Sequence, residues 1–428
     1  MFKKYVGIAT ITVLLLTVLL LACCSAYAAE PVTINVYTNL PDRNNGQGLV
    51  EQMLIDSYLA ENPHVTINIE ALHDEDYKLK FKAYAAGAEM PDFVSGWGQP
   101  SFLDEIIDAG LLAELNPQDY ADYGFVEGSL AGFSKDGKLY GLARNSDVMG
   151  FFYNKGIFDK HGWTVPETFE ELVELSGKIR AAGLQPVSTS AGDGWPINIM
   201  LTGLYQKVHG PGVMDKLLGF IADGNWDDPE FLQASKIFQD AAAAGLFANG
   251  YETADYGTAH SLFTSGLAAM YYMGSWETGM AVNQDLPAEF RENLRVFALP
   301  PVEGGKGTVR DISAWNGGGY FVTANSKVKD EALKLLDYFF KPENWNRLTW
   351  EHNICMSAQD FSKYLTGDET PVQLEFIEIF TGANSVTGSP YSDLGNSEHK
   401  TRSERIIVEL AIGRLTPEQH AEELGRTR

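Results

Sequence analysis

Four tryptophans stand in segments that have the composition of loops. They are Trp97, Trp195, Trp276 and Trp315, and each lies within two residues of a glycine. Glycine allows another molecule to approach the backbone closely, and an indole offers a flat apolar face on which the C–H side of a sugar ring can pack. A single tryptophan is more often a core residue, but four in such loops favour a binding surface.

Polar side chains that can bind hydroxyl groups stand in or near these loops. A carboxylate accepts hydrogen bonds from two adjacent hydroxyls, and an amide both donates and accepts. For each residue alone a solvated surface role is the alternative, because acidic residues abound in this chain. We take as candidates Gln99, Asn145, Asp147, Asp193, Glu277 and Asn316, together with Gly317 in the glycine run after Trp315.

Carboxylates beside tryptophans also occur in glycoside hydrolases, where an acid and a base stand ~5 Å or ~6.5 to 9.5 Å apart. The sequence contains neither a GxSxG nor a GxxxxGK[ST] motif, and its eight histidines show no HxxxH or HExxH spacing. We therefore predict no catalytic residue, no metal site and no cofactor, and keep the hydrolase as an alternative.

The chain is strongly anionic, with 57 acidic against 32 basic side chains and a formal net charge of -25. Such a charge keeps a protein soluble and monomeric, and it argues against binding nucleic acid or an anionic membrane through a basic surface. We expect a monomer that binds no nucleic acid.

The amino end has the layout of a secretory signal peptide. Lys3 and Lys4 precede an apolar run over residues 8–21, and small residues follow. A membrane anchor is the alternative, but the run is shorter than the roughly 20 residues that span a bilayer core. Cleavage after residue 28 competes with a lipobox that would place lipid on Cys23. The strand-like segment that follows almost at once favours a signal peptide over residues 1–28 and a released protein.

The cysteine count and the chain length limit the disulfides and the number of domains of the mature protein. Only Cys355 lies in the body of the chain beyond Cys23 and Cys24, so the mature protein has no internal disulfide. A mature chain of about 400 residues is long enough for two domains, each with its own hydrophobic core, since single cores stop growing at about 250 to 300 residues.

The mature chain begins with alternating strand and helix patterns, which is typical of a parallel α/β sheet. Residues 143–147 then form a predicted passage between lobes, residues 167–244 are mainly helical, and the α/β alternation returns near residue 317. The predicted strands are residues 32–37, 65–69, 91–95, 138–142, 148–153, 268–272, 295–299 and 317–322. The predicted helices outside 167–244 are residues 48–60, 76–86, 102–109 and 330–340. The other tryptophans, assigned to packing, are Trp163, Trp226, Trp345 and Trp350.

The chain resembles the extracellular solute-binding proteins of family 1, the maltose and multiple-sugar group that feeds ABC importers. The motifs that carry the resemblance follow one another over nearly the whole mature chain. They are Ala85-Ala86-Gly87 with Pro91-Asp92, the segment 109–115, Tyr153-Asn154-Lys155 with Phe158 and Gly162, the segment 166–172, and Phe263 with Gly266, 268–270 and Gly274-Ser275-Trp276.

The resemblance implies a two-lobed, type II periplasmic-binding-protein-like fold of class α/β, with discontinuous lobes that close on a ligand about a hinge. We predict an N-terminal lobe of residues 30–144 and 305–355, and a C-terminal lobe of residues 145–304 and 356–428.

The resemblance also places family positions on residues of this chain. Trp276 falls on the tryptophan that stacks on sugar in relatives. Asp147 falls on the carboxylate six residues before the family's Tyr-Asn pair, and Trp97 and Gln99 fall in the loop after its Pro-Asp pair. Polar residues after the first strand fall where relatives often place a ligand contact. They are Asn39, Asp42 and Arg43.

The sequence therefore predicts an exported protein, in the periplasm or on the outer face of the cytoplasmic membrane, that delivers an oligosaccharide to the permease subunits of an ABC transporter. A non-sugar solute remains the alternative within the binding class. A polyamine would need several carboxylates facing aromatic rings, and a phosphodiester would need a cation in the cleft, for which Arg144 and Arg310 are the candidates.

Overall fold

The computed structural model of the chain describes residues 30–354 and 356–426. The predicted signal peptide, Cys23 and Cys355 lie outside the described residues. The strands are β1 Val32–Thr38, β2 Val65–Ala71, β3 Phe93–Trp97, β4 Ser134–Lys135, β5 Lys138–Leu139, β6 Gly141–Ala143, β7 Asp147–Asn154, β8 Gln185–Ser188, β9 Ala268–Gly274, β10 Leu294–Phe297, β11 Asp311–Ile312, β12 Ala314–Trp315, β13 Gly318–Val322 and β14 Ser385–Val386. The α-helices are α1 Gly46–Glu61, α2 Asp74–Gly87, α3 Pro100–Asp108, α4 Lys155–His161, α5 Phe169–Ala181, α6 Trp195–His209, α7 Val213–Asp223, α8 Pro229–Ala243, α9 Tyr256–Thr264, α10 Ala288–Glu292, α11 Lys329–Phe340, α12 Trp345–Glu351, α13 Pro371–Thr381, α14 Ser397–Ala411 and α15 Pro417–Leu424.

Five strands form the first sheet, in the order β2-β1-β3-β13-β6. β1 runs parallel to β2 and β3, whereas β13 runs antiparallel to β3 and β6. In β1 the exposed Thr33 and Asn35 alternate with the buried Ile34 and Val36, as a strand with one face on a core requires. Helices α1 and α11 complete this first core with Leu54 and other apolar residues.

The second sheet has the order β10-β7-β9-β8, and β12 pairs with the beginning of β7. β7 lies inside this sheet and is buried along all but its last residue, which fits its nearly continuous apolar sequence. Successive side chains point to opposite faces of a strand. Phe151 accordingly belongs to a core with α6 and α8, and Phe152 to a separate core with α13.

The chain passes between the two sheets at three neighbouring places. Residues 144–146 join β6 to β7, residues 316–317 join β12 to β13, and residues 356–358 run beside the first passage through a bridge between Asn145 and Ser357. β11 and β12 pair with β14 and β7, although the sequence prediction assigned them to the N-terminal lobe. The lobe division itself, with its bounds at 144, 304 and 355, stays a prediction.

The sequence prediction missed β8 as well as the two-residue strands β4, β11, β12 and β14. The segment 167–244 was predicted to be mainly helical, but the four residues of β8 interrupt it. β8 lies at the end of the second sheet and runs parallel to β9. Four residues are too few to show a period, and Pro186 weakens the strand pattern because proline cannot donate to a ladder.

The assignment of Trp226, Trp345 and Trp350 to packing is confirmed, since all three are buried in a core. Trp163 is partly buried, and its indole stacks on the ring of His161 with centroids 4.5 Å apart. Phe169, at the start of α5, is also buried in the core of the second sheet.

A buried histidine makes the stability of the fold depend on pH. Both ring nitrogens of His420 are buried without a hydrogen-bond partner, and the ring stacks near Phe231. Burial lowers the pKa of His420 to about 3. Because the histidine of the unfolded chain titrates near pH 6.5, only the unfolded chain binds this proton between pH 6.5 and 3. The contribution of neutral His420 to stability is therefore fully present above pH 6.5 and is lost as the pH falls toward 3.

We expect His420→Leu to remove this part of the acid sensitivity. Between pH 6.5 and pH 5 the linkage amounts to about 2 kcal/mol of unfolding free energy, so the variant should lose correspondingly less stability over that range. Urea unfolding at both pH values measures the difference. His161→Gln, on an exposed ring, serves as the control and should behave as the wild type. Equal acid sensitivity in His420→Leu and the wild type would contradict the assignment.

Candidate functional site

Three of the four glycine-flanked tryptophans lie in a row. The ring centroids of Trp195 and Trp276 are 5.9 Å apart, and those of Trp276 and Trp315 are 6.3 Å apart. All three indoles are partly buried. Trp276 stands two residues after Gly274, the last residue of β9, and a Cβ atom on Gly274 would lie 2.1 Å from the indole. The glycine therefore makes room for the central ring of the row.

Trp97 stands apart from this row, at the carboxyl end of β3 in the first sheet. Its indole packs edge-on against Tyr77 and Phe102, and the Lys78 ammonium lies 5.2 Å from the ring centroid. The amide of the next residue, Gly98, donates to the carbonyl of Gly317 at 2.7 Å. The loop that holds Trp97 is thus bonded to the passage that follows Trp315.

Asp147 lies beside this passage, against Gly317. It is the first residue of β7 and pairs with Trp315 in β12. The side chain is buried, and a Cβ atom on Gly317 would lie 2.8 Å from its Oδ2 atom. Burial raises the pKa of Asp147 to about 6, while the Arg144 charge and the amides of Gly317 and Gly318 act in the opposite direction. The site therefore holds a carboxylate that protonates near neutral pH.

Asn39, which follows β1 of the first sheet, contacts Arg144 in the passage of residues 144–146. Its backbone amide donates to Ser95 Oγ at 2.9 Å, and its Nδ2 atom donates to Asp74 Oδ1 at 2.9 Å. Its Oδ1 atom accepts from Ser95 and from the guanidinium of Arg144. The polar residue after β1 is therefore held in one orientation beside the residues of the passage.

Asp193 marks the point where the two halves of the structure face each other. It precedes α6 in the second half, and burial raises its pKa to about 6. The charges of Glu75 and Lys78, on α2 in the first half, also act on its pKa. Helix α2 of the first half therefore faces the loop that precedes α6 and Trp195.

Glu277 has protein partners of its own. Tyr256 donates a hydrogen bond to its Oε1 atom, and the Nε2 atom of His260 lies 3.7 Å from its Oε2 atom. Asn316 likewise accepts from Ser146 Oγ at 3.0 Å. Both residues adjoin the row of indoles in sequence, and both are fixed by neighbours from other segments.

Two predicted residues stand in other surroundings. Arg43 forms an ion pair with the buried Glu51 at 2.7 Å and donates to Gln52 at 3.1 Å, so its guanidinium is committed to α1. Gln99 is buried at the N-cap of α3. Arg310, one of the two candidate cations, is exposed, whereas the other, Arg144, lies in the passage. The roles of all the predicted site residues stay predictions.

The structure adds residues that the sequence reasoning missed. They lie on helices α2, α9 and α14, and only the fold brings these helices near the site. The run of carboxylates at the start of α2 was visible in the sequence. On the far side, Lys400 of α14 bonds Asp393 and Glu404. The added residues are Asp74, Glu75, Lys78, Tyr256, His260, Lys400 and Glu404.

The two halves also touch beyond the passages. Ser101 of α3 donates to Asp393 at 3.2 Å, and Ser397 of α14 donates to Glu105 at 2.7 Å. Two α/β lobes joined by hinge-like passages, with indoles and polar side chains near their junction, are the architecture of the class of proteins that capture a solute between two lobes.

Comparison with known proteins agrees with this class. Residues 44–344 match the model of the bacterial extracellular solute-binding protein family. An uncharacterised ABC transporter extracellular-binding protein of Pyrococcus horikoshii is 28% identical over 242 residues, and the alignment spans 53% of each chain, so this chain covers about half the length of that relative. The multiple sugar-binding protein of Streptococcus mutans is 25% identical over 389 residues, which cover 87% of this chain and 84% of that relative.

A solved structure from work on xylan utilization by the thermophilic bacterium Caldanaerobius polysaccharolyticus has a TM-score of 0.84 to this chain. It is 22% identical, and the superposition covers 92% of this chain and 99% of that one. The predicted two-lobed, periplasmic-binding-protein-like α/β fold is confirmed. The chain belongs to the bacterial extracellular solute-binding protein family.

Proposed function

We propose that this protein is the extracytoplasmic solute-binding component of an ABC importer and that its solute is a carbohydrate, an oligosaccharide rather than a single sugar. The observation that carries the proposal is the row of Trp195, Trp276 and Trp315. Successive indoles offer apolar faces to more than one sugar ring. Asp147 and Asp193 supply acceptors for hydroxyl groups along the same row.

The names of relatives support the same class of solute. The relative from Streptococcus mutans that aligns with 87% of this chain is a multiple sugar-binding protein. The proposal includes delivery to permease subunits, which is supported by the relative named as an ABC transporter extracellular-binding protein. The protein holds its ligand without converting it and needs no cofactor.

Two other solutes fit the cleft less well. A polyamine needs carboxylates with free oxygens, whereas Glu277 is bonded by Tyr256 and faces His260. A phosphodiester needs cations, and the charges around Asp193 include Glu75 and Asp255 as well as Lys78. A neutral polyhydroxylated ligand suits this mixture of carboxylates, amides and indoles best.

The protein acts outside the cytoplasm, in the periplasm or on the outer face of the membrane. Among residues 30–354 and 356–426, no helix combines the length and the apolar character of a membrane span. The exported chain is either released by cleavage after residue 28 or attached to the membrane through lipid on Cys23.

A thermal-shift screen tests the proposed solute class. A ligand that binds only the folded protein stabilises it by about 2.7 kcal/mol at 100 times its Kd. We expect oligosaccharides to raise the melting temperature, and a polyamine or a phosphodiester to leave it unchanged. A shift with a polyamine and none with any carbohydrate would contradict the proposal.

The two carboxylates also predict how binding depends on pH. In the free protein the pKa values of Asp147 and Asp193 are about 6. Hydroxyl donors of the ligand favour the charged carboxylates, so binding expels protons as the pH falls below 6. We expect the affinity to drop by about tenfold for each linked carboxyl between pH 7 and pH 5. Calorimetric titrations at pH 7, 6 and 5 measure this, and equal affinities at all three would contradict it.

A further inference from the structure

All three passages between the lobes meet at the backbone of Arg144. Its amide donates to the carbonyl of Gly318, which begins β13 directly after the second passage, at 2.8 Å. Its carbonyl accepts from the amide of Ala358 in the third passage at 3.2 Å and from Nε1 of Trp345 at 3.0 Å. A hinge consists of a few residues at such passages, and this residue is bonded to each of the others.

The side chain of Arg144 is buried, with only 4% of the residue exposed. Its guanidinium lies 5.5 Å from the ring centroid of Tyr320, and Nη1 and Nη2 lie 3.3 and 3.4 Å from Asn39 Oδ1. Its Nε atom is buried without a hydrogen-bond partner. A Cβ atom at position 318 would lie 2.8 Å from Nε, so Gly318 is what allows the guanidinium to lie there.

A buried cation is costly unless it is paired with an anion. Over the part of the chain that the structure describes, no carboxylate lies within 4.0 Å of the guanidinium of Arg144. Arg43, by contrast, pairs directly with Glu51. The guanidinium of Arg144 instead donates to Asn39 of the first lobe, and its charge acts on Asp147 of the second lobe, which pairs with Trp315.

We propose that Arg144 is a positioning residue for the ligand. Its guanidinium orients Asn39 and lies against Gly318, next to Gly317, against which the carboxyl group of Asp147 lies. One contact from each lobe is thereby presented to the same end of the ligand. The inference rests on the proposed function, because it assigns how that site binds its carbohydrate.

The electrostatic part follows from the groups around Asp147. Arg144 is the charged residue that lowers the pKa of Asp147 against the effect of burial, aided by Asn145 and by the amides of Gly317 and Gly318. The other titratable groups of the site lie on adjoining segments and act on one another. They are Glu277 with Tyr256 and His260, and Asp193 with Glu75, Lys78 and Asp255.

The test is a calorimetric titration of the mature protein with the oligosaccharide that raises its melting temperature most, between pH 5 and pH 8. We expect Arg144→Met to bind at least tenfold more weakly at pH 7.5 and to lose affinity at a higher pH than the wild type. Arg144→Lys keeps the charge but not the planar fork. It should recover the wild-type pH midpoint while remaining weaker in affinity.

A matched control is Arg180→Met. Arg180 is partly buried, and its guanidinium donates to the carbonyls of Gly245 and Phe247 away from the site. It should change the melting temperature without changing the affinity or the pH midpoint.

The outcomes separate the two proposals. No binding of any carbohydrate by the wild type overturns the proposed function and this inference with it. Wild-type binding together with an unchanged affinity and midpoint in Arg144→Met overturns only the inference. If Arg144→Met does not fold, Arg144→Lys decides. A weaker affinity of Arg144→Lys with the same pH midpoint as the wild type supports the role. A pH midpoint of Arg144→Lys above that of the wild type overturns it.

Discussion

Replacing Trp276 by alanine should weaken carbohydrate binding more than any other single change to the row of indoles. Its ring is the one that approaches both Trp195 and Trp315. Its loss removes the central apolar platform and leaves the flanking rings without a neighbour. Aromatic residues at the centre of a buried contact typically cost 2 kcal/mol or more when truncated. We therefore expect the Kd to rise at least about 30-fold, measured by calorimetric titration at pH 7.5.

The change at Trp276 needs a control for lost packing. Trp163→Ala removes a partly buried indole that stacks on His161, so it should lower the melting temperature without altering the Kd. Trp276→Phe keeps a flat ring at the central position and should stay within about fivefold of the wild type. A Kd for Trp276→Ala equal to that of Trp163→Ala would show that the row of indoles does not hold the ligand.

Asp147→Asn should produce the second large effect. The side chain keeps its shape but loses the charge that strengthens hydrogen bonds to ligand hydroxyls, and bonds to charged groups contribute about 1.5 to 3 kcal/mol. We expect the Kd at pH 7.5 to rise about 10- to 100-fold. Because one of the two linked carboxyls is gone, the affinity should also fall less between pH 7 and pH 5 than that of the wild type.

Asp159→Asn is the matched control for Asp147. Asp159 is an exposed carboxylate on α4 that pairs with Lys155 beyond the opposite end of β7. The strand spans eight residues, so the two carboxylates stand at opposite ends of an element that is roughly 25 Å long. The control should bind as tightly as the wild type and keep its full pH dependence. A wild-type Kd in Asp147→Asn would exclude the carboxylate from ligand contact.

Local patterns predicted much of the fold. The strands at 32–37, 65–69 and 268–272 and the helix at 330–340 are observed at nearly these bounds, because each has a clear apolar period and a turn residue at its end. The short strand β8 was missed, since four residues carry no period. The pairing of β11 and β12 with the second sheet also lay beyond the sequence, because strands of two residues gain their partners only from the fold.

The candidate site was predicted in part. The glycine neighbours identified the tryptophans, and three of them do lie together. Local sequence could not show that Arg43 would find Glu51 on the following helix, or that Lys78 would act on Asp193 from the other lobe. Those relations depend on which surfaces the lobes turn toward each other, and this is set by the three passages around Arg144.

The central claim is that the cleft captures a carbohydrate and releases it unchanged. The most direct measurement is a calorimetric titration of the mature protein with oligosaccharides at pH 7.5, followed by chromatography of the recovered ligand. We predict saturable binding of one oligosaccharide per protein molecule and recovery of the ligand intact. Hydrolysed product, or the absence of heat with every carbohydrate while a polyamine saturates the protein, would contradict the claim.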